Sequence, residues 1–316
     1  MEIRKASVSD MFGWLIGSFK LVGKHWGTFL LASLLSLLVI FALVFVIVLA
    51  MVILGDPAAL AATAQQPDMQ QMMIVYGSAT LFVILLMPPF MAGWFKLCHN
   101  LSSGHKASAT DIFSMYPVRG IWIKLIQYSA IFTILYIALH AAYIGLCAML
   151  GVGLDSFKIL LLPDPAADSS MSALNLGTGF WIAYSGLILL GTVLQCMFML
   201  GFTQAALTET NAIDSMKDGI AATLKNLGSL LLFMLATLLV VFASILVMGL
   251  IAGLLIAALS MLNSNIALAF GAVIYLLLIL FIYPLMFSFQ YLFWRDVLGG
   301  GNGTPAGDAP VSELML

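Results

Sequence analysis

Histidine is the side chain whose ordinary pKa lies nearest physiological pH, which makes His140 the first candidate for chemistry in the apolar segments of this chain. Tyr136 and Tyr143 flank it at helical spacing, and together the three could form a proton-linked polar site inside a long apolar segment. Gln127, Gln195, Gln204 and Gln290 are the other polar candidates in such segments. Amides in an apolar medium bond across helices or line a path for a polar solute. Pro88, Pro89 and Pro284 each remove a backbone donor and predict kinks, and interrupted helices can build a binding site at mid-membrane. Cys98, His99 and His105 are near one another in the chain, yet no fourth ligand accompanies them and no metal site is expected. The three cysteines, Cys98, Cys147 and Cys196, form no CxxC pair and read as small apolar fillers. No Ser/His/Asp set, HExxH motif, P-loop or pair of intramembrane carboxylates occurs. The chain is therefore read as non-enzymatic, with no cofactor and no metal.

The elements that carry these residues follow from composition. The 316-residue chain is 63% apolar and 8% charged, where a soluble domain is about half apolar and a quarter charged. No Asp, Glu, Lys or Arg occurs between Lys124 and Asp155, between Asp168 and Glu209, or between Lys225 and Arg295. A bilayer crossing needs about 20 mostly apolar residues, and six apolar segments meet that need: 28–54, 73–95, 121–150, 178–206, 228–260 and 266–294. Helices satisfy the backbone of such long runs in lipid, so the fold is expected to be all-α, with six transmembrane helices. Residues 261–265 form a tight hairpin between the last two spans, whereas 55–72 and 151–177 are longer, acidic links. A net charge of −2 excludes the basic field of a nucleic-acid partner.

Eleven of the twelve Lys and Arg residues fall on one side of this arrangement, and only Lys158 falls on the other. Cytoplasmic loops retain positive charge, so both termini are expected in the cytoplasm. Counted from that side, His140 lies nearer the outer interface than the midplane. Trp14, Trp26, Trp94, Trp122 and Trp294 lie near the basic side and Trp181 opposite, as interfacial anchors do. No short apolar region ends in a cleavage site, so the first span is expected to be retained.

A repeat is marked by helix-start chemistry. Ser7 to Asp10, Ser108 to Asp111 and Asn211 to Asp214 each resemble a capping box, and their acids stand 101 and 103 residues apart. Phe12, Phe113 and Met216 follow each acid by two positions. The predicted unit is a short amphipathic cytoplasmic-face helix followed by a transmembrane hairpin, occurring three times (about 7–107, 108–210 and 211–298) in parallel orientation. Pro117 should end the second such helix early. Met11, Phe12, Leu15, Phe19 and Val22 share one face of the first, and Ile213, Met216, Ile220 and Leu224 one face of the third. Both faces are expected on the membrane surface, with Lys20, Lys24, Lys217 and Lys225 reaching lipid headgroups. Gly249 and Gly253 form a GxxxG surface for close packing, with an internal helix as the expected partner. Residues 1–298 thus make a single membrane domain, and the Gly/Pro-rich tail 299–316 is expected to be disordered.

The stretch from Gly13 to Lys20 with Trp26-Gly27, and that from Ala212 to Lys217 through Lys225-Asn226, resemble repeated elements of a family of uncharacterised bacterial six-helix inner-membrane proteins. That family is similar to the membrane domain fused to some glycerophosphodiester phosphodiesterases. The resemblance implies a bacterial inner membrane; the phosphodiesterase domain is lacking, so its activity does not transfer. Three two-span units also resemble the layout of mitochondrial carriers. Their proline-acid-base signature on odd-numbered helices is missing here, and the carrier reading is rejected. The leading expectation is a protein that handles lipids or supports a membrane assembly, with membrane lipids and other membrane proteins as partners. The alternative is a transporter or channel for an uncharged or amphipathic solute, with Gln127, Gln195 and His140 lining its cavity.

Overall fold

The computed structural model describes residues 3–54, 69–151, 178–236 and 264–299, together with Gly249 and Gly253. The acidic links, residues 261–263 of the expected hairpin, Lys158 and the tail beyond Gly299 lie outside these residues. Every element described is helical: α1 (Val8–Lys24), α2 (Trp26–Leu54), α3 (Met69–Ser102), a five-residue 3-10 helix (Ala109–Phe113), α4 (Arg119–Met149), α5 (Thr178–Leu207), α6 (Ala212–Lys225), α7 (Leu227–Ala236) and α8 (Ser264–Val297). Among the described residues, segments of α2, α4, α5 and α8 are long and apolar enough to cross a membrane; α6 and α7, bent by 68° at Asn226, make a fifth if counted as one span. The described residues are thus all-helical and include four or five candidate membrane-spanning helices, the pattern of a multi-pass membrane protein.

The helix starts obey local chemistry. In α1 the Ser7 side chain accepts from Asp10 N while Asp10 Oδ2 accepts from Ser7 N at 2.8 Å, satisfying donors that the first turn leaves free. Ser108 and Asp111 repeat the box. The element they open is only a 3-10 turn, which corrects the expectation of an amphipathic helix before the second hairpin, and Pro117 follows four residues later. At α6 Asn211 Oδ1 accepts from Asp214 N at 2.8 Å, but Asp214 takes its return bond from the Asn211 side-chain amide rather than from the backbone.

Three long helices, α3, α5 and α8, touch one another pairwise, and α4 packs against both α3 and α5. Beneath them lie the capped elements, in the three most extensive contacts of the fold: α6 on α5, α1 on α8, and the 3-10 helix on α3. A glycine permits close approach in each case. Gly93 of α3 abuts the Ile112 backbone, Gly219 of α6 abuts Gly201 of α5, and Gly17 of α1 faces Leu292 of α8. The core is concentrated at this basic end, where Phe95 of α3 meets Phe287 of α8 at 5.3 Å and Phe202 of α5 at 6.3 Å between ring centroids. Toward the other end burial thins: neither α2 from Leu37 to Val46 nor α8 from Ala269 to Ile279 contains a buried residue, and on α4 and α5 it persists at Cys147, Phe180 and Ala183. Lipid tails are as apolar as leucine, so side chains there gain little by facing protein.

Candidate functional site

Two of the residues expected to line a polar path, Gln127 and His140, stand far apart. Gln127 and Gln195 are exposed on α4 and α5. Thirteen residues separate Gln127 from His140 along α4, about 20 Å at 1.5 Å per residue. His140 is half-buried, its Nδ1 2.9 Å from the carbonyl of Tyr136 in its own helix, and its ring stacks on Tyr136. Tyr143 turns to α5, donating to the Ala183 carbonyl at 3.1 Å. The expected His-Tyr cluster is therefore divided between a local bond and a helix contact.

Pro88, Pro89 and Pro284 are buried, and α3 and α8 continue through them. Pro89 cannot donate to the Leu85 carbonyl one turn earlier; Trp122 Nε1 of α4 donates to it instead at 3.1 Å, and Tyr116 Oη bonds the next carbonyl, Leu86 O, at 2.8 Å. The prolines serve packing against α4 and its approach rather than an open mid-membrane site.

The polar groups that do come together lie at the basic end. His99 Nδ1 is 3.2 Å from Tyr291 Oη, and Ser102 Oγ bonds the same phenol at 2.9 Å. Cys98 Sγ lies 3.7 Å from Ser288 Oγ, and these contacts tie α3 to α8. Trp294 Nε1 donates to Gln204 Oε1 at 2.7 Å, tying α8 to α5. Gln290 Oε1 is buried with no hydrogen-bond partner among the described residues. Cys98 and His99 are thus turned toward α8, not toward His105 as a metal set. Cys98, His99 and Ser102 share one face of α3 by their spacing, as do Ser288 and Tyr291 of α8, a polar stripe readable in the sequence but without any indication of its partner.

Three tryptophans assigned to the interface belong to this core. Trp14, Trp94 and Trp294 are buried, and their indole N–H groups donate to Asp296, Ser36 and Gln204 respectively. Burying an unpaired indole N–H would be costly, and each finds an acceptor on another helix. Trp26 and Trp181 are 67% and 55% exposed and retain the anchor geometry.

The amphipathic faces need a similar correction. Met11 and Val22 of α1 are buried together with Trp14 and Ser18, while Phe12, Ile16 and Phe19 form a separate exposed stripe. On α6 a small-residue face (Ala212, Ser215, Gly219, Ala222 and Thr223) is buried, leaving Ile213 and Leu224 exposed and Met216 and Ile220 half-buried. The four lysines also divide. Lys217 Nζ bonds Asp214 at 3.0 Å and Lys225 Nζ donates to the Ile3 carbonyl. Lys20 and Lys24 are exposed, with no hydrogen-bond or ion-pair partner among the described residues. The Ser7 amide and hydroxyl hold the Asp10 carboxyl below its ordinary range, with Arg4 adding to the effect; Lys217 and Asn211 do the same at Asp214. Burial, and then the Lys24 charge, lower the His25 imidazole.

No family model matches the chain, and neither a curated protein nor a solved structure does so.

Proposed function

We propose that this chain is a non-enzymatic multi-pass protein of the bacterial inner membrane that handles lipids or supports a membrane assembly, built from six spans with both termini cytoplasmic. The observation that carries the reading is the shared form of α1 and α6. Each clamps one face to the basic end of the bundle and leaves an apolar stripe exposed, the arrangement of a helix seated in the headgroup boundary. The cytoplasmic placement rests on the distribution of Lys and Arg, and the bacterial membrane on the family resemblance of the α1 and α6 sequences.

A parallel threefold repeat is supported by contacts as well as by caps. The 3-10 helix and α6 each rest on the second long helix of the preceding unit, and α1 rests on the last helix of all, as a closed ring requires. The segments before two of the caps are held in the same sense: Lys225 donates to the Ile3 carbonyl and Lys124 to the Thr208 carbonyl. The six-span count draws support from the 34-residue length of α3 and from α7 entering the fifth apolar segment.

The transport reading has less behind it, because Gln127 and His140 stand far apart along α4 and the basic ends of α3, α5 and α8 are filled by Phe95, Phe202 and Phe287. The test is a combined lipid and protein analysis of the complex extracted from native membranes. Enrichment of one lipid class or a stoichiometric membrane partner is the expected result; uptake of a solute by liposomes containing the purified chain alone would sink the reading. Labelling of introduced cysteines from the two faces, at Lys158 against Lys106 and Lys217, checks the orientation.

A further inference from the structure

The stretch from Lys20 to Trp26, where α1 passes into α2, differs from its counterpart at the end of α6 in what its charges are doing. On α6 the acids Asp214 and Asp218 equal Lys217 and Lys225 in number; one lysine is paired with Asp214 and the other with a backbone carbonyl. On α1 the sole acid, Asp10, lies at the far end, held by Ser7 and Arg4. Lys20 and Lys24, one turn apart on the exposed side, carry two charges without a partner among the described residues, beside an apolar stripe.

The position of that stripe is fixed by its aromatic contacts. The Phe12 ring meets Phe233 of α7 edge-on at 5.4 Å, and Phe19 lies 6.1 Å from Phe281 of α8. Phe281 is itself exposed and stands inside the apolar segment Ala269–Val297. The stripe of Phe12, Ile16 and Phe19 thus packs on the buried Phe233 at one end and is continuous at the other with the outward surface of α8 at Phe281. Lysine stems lie along apolar surface while their ammonium groups reach polar surroundings, and the exposed Trp26 indole marks the level at which polar and apolar media meet.

We infer that Lys20, Lys24 and Trp26 form a headgroup site for anionic phospholipid, with the Phe12–Ile16–Phe19 stripe beside the acyl chains, and that α6 supplies no equivalent site. This rests on the lipid-handling reading and names the lipid class and the place where it binds. Two charges worth about 1 kcal/mol each beside anionic lipid correspond to a preference of roughly thirtyfold at 1.4 kcal/mol per decade.

The experiment uses the full chain in mixed detergent micelles, titrated with dioleoylphosphatidylglycerol, dioleoylphosphatidylcholine or inorganic phosphate, with retained lipid counted by native mass spectrometry. The expected result is a roughly thirtyfold preference for phosphatidylglycerol that is lost in K20Q/K24Q, kept in K20R/K24R and kept in K217Q. A preference that survives K20Q/K24Q, or one that K217Q abolishes equally, overturns the site. Competition by inorganic phosphate as strong as that by the lipid also overturns it, since the two lysines would then hold a free anion. Lipid retained without class preference defeats this site alone, whereas no retained lipid of any class removes the lipid-handling reading beneath it.

Discussion

Gly201 of α5 and Gly219 of α6 lie backbone to backbone: a Cβ added to Gly219 would stand 2.6 Å from Gly201 N and 2.7 Å from the Met197 carbonyl oxygen. No flexible side chain is available there to yield, so this pair sets how closely α6 seats on the bundle.

Gly219→Ala should therefore destabilise the protein by about 1–3 kcal/mol, the usual cost of overfilling a packed contact, although alanine is by itself the better helix former. Gly145→Ala is the control: its Cβ would enter open space, and a gain of up to about 1 kcal/mol is expected. Thermal unfolding of the purified chain in detergent compares the two. Equal stability of both variants would show that α6 is not seated through Gly219.

Gln204 and Trp294 offer a second test, because the acceptor is 1% exposed and the indole 5%. Gln204→Leu strands a buried N–H and should cost about 1–3 kcal/mol. In the background of Trp294→Phe, which removes that donor, the same change should cost less. A double-mutant cycle reads the coupling directly, and strictly additive effects would rule out the bond as a tie between α5 and α8.

Trp122 bonds the carbonyl that Pro89 leaves free. Trp122→Phe should cost about 0.5–1.5 kcal/mol for the lost bond. Pro89→Ala restores a backbone N–H one turn beyond Leu85, so the cost of Trp122→Phe should shrink in that background. An unchanged cost would mean that the indole contributes through packing alone.

Acid should weaken the start of α1. The Asp10 pKa is lowered from 3.8, first by the Ser7 backbone bond, so its ionised form is favoured by folding. That stabilisation is fully present above the unfolded carboxylate value and is lost as the pH falls below 3.8 and through the folded pKa. Asp10→Asn should flatten this part of the stability profile, and Ser7→Ala should cost about 1 kcal/mol at neutral pH through the lost cap. Melting temperatures from pH 6 down to pH 2 provide the check; identical acid slopes for Asp10→Asn and the parent chain would contradict the assignment.

Much of the local structure was legible before any packing was known. The capping pairs Ser7–Asp10 and Ser108–Asp111 formed as their spacing implied, because both partners of each bond lie within one turn. The starts of α2, α4, α5 and α8 fall near the edges of apolar segments for an equally local reason. The weakness of the second unit followed from Pro117. Candidate site residues fared differently. Gln127, Gln195 and His140 were singled out for being polar among apolar neighbours, a property that says nothing about convergence. Cys98, His99, Ser288 and Tyr291, which do approach one another, are separated by about 190 residues.

Residue type and period alone determined that the chain is helical and suited to lipid, since hydropathy and backbone satisfaction are properties of single segments. They could not decide which tryptophan is an anchor and which is core. Trp26 and Trp94 both stand near basic flanks, yet one is exposed and the other has no exposed surface and donates to Ser36. Nor could they distinguish the lysines of α1, which have no partner among the described residues, from the engaged ones of α6. Tertiary structure decided those matters, because burial and pairing depend on which distant surface arrives opposite a side chain, and that is a property of the assembled helices.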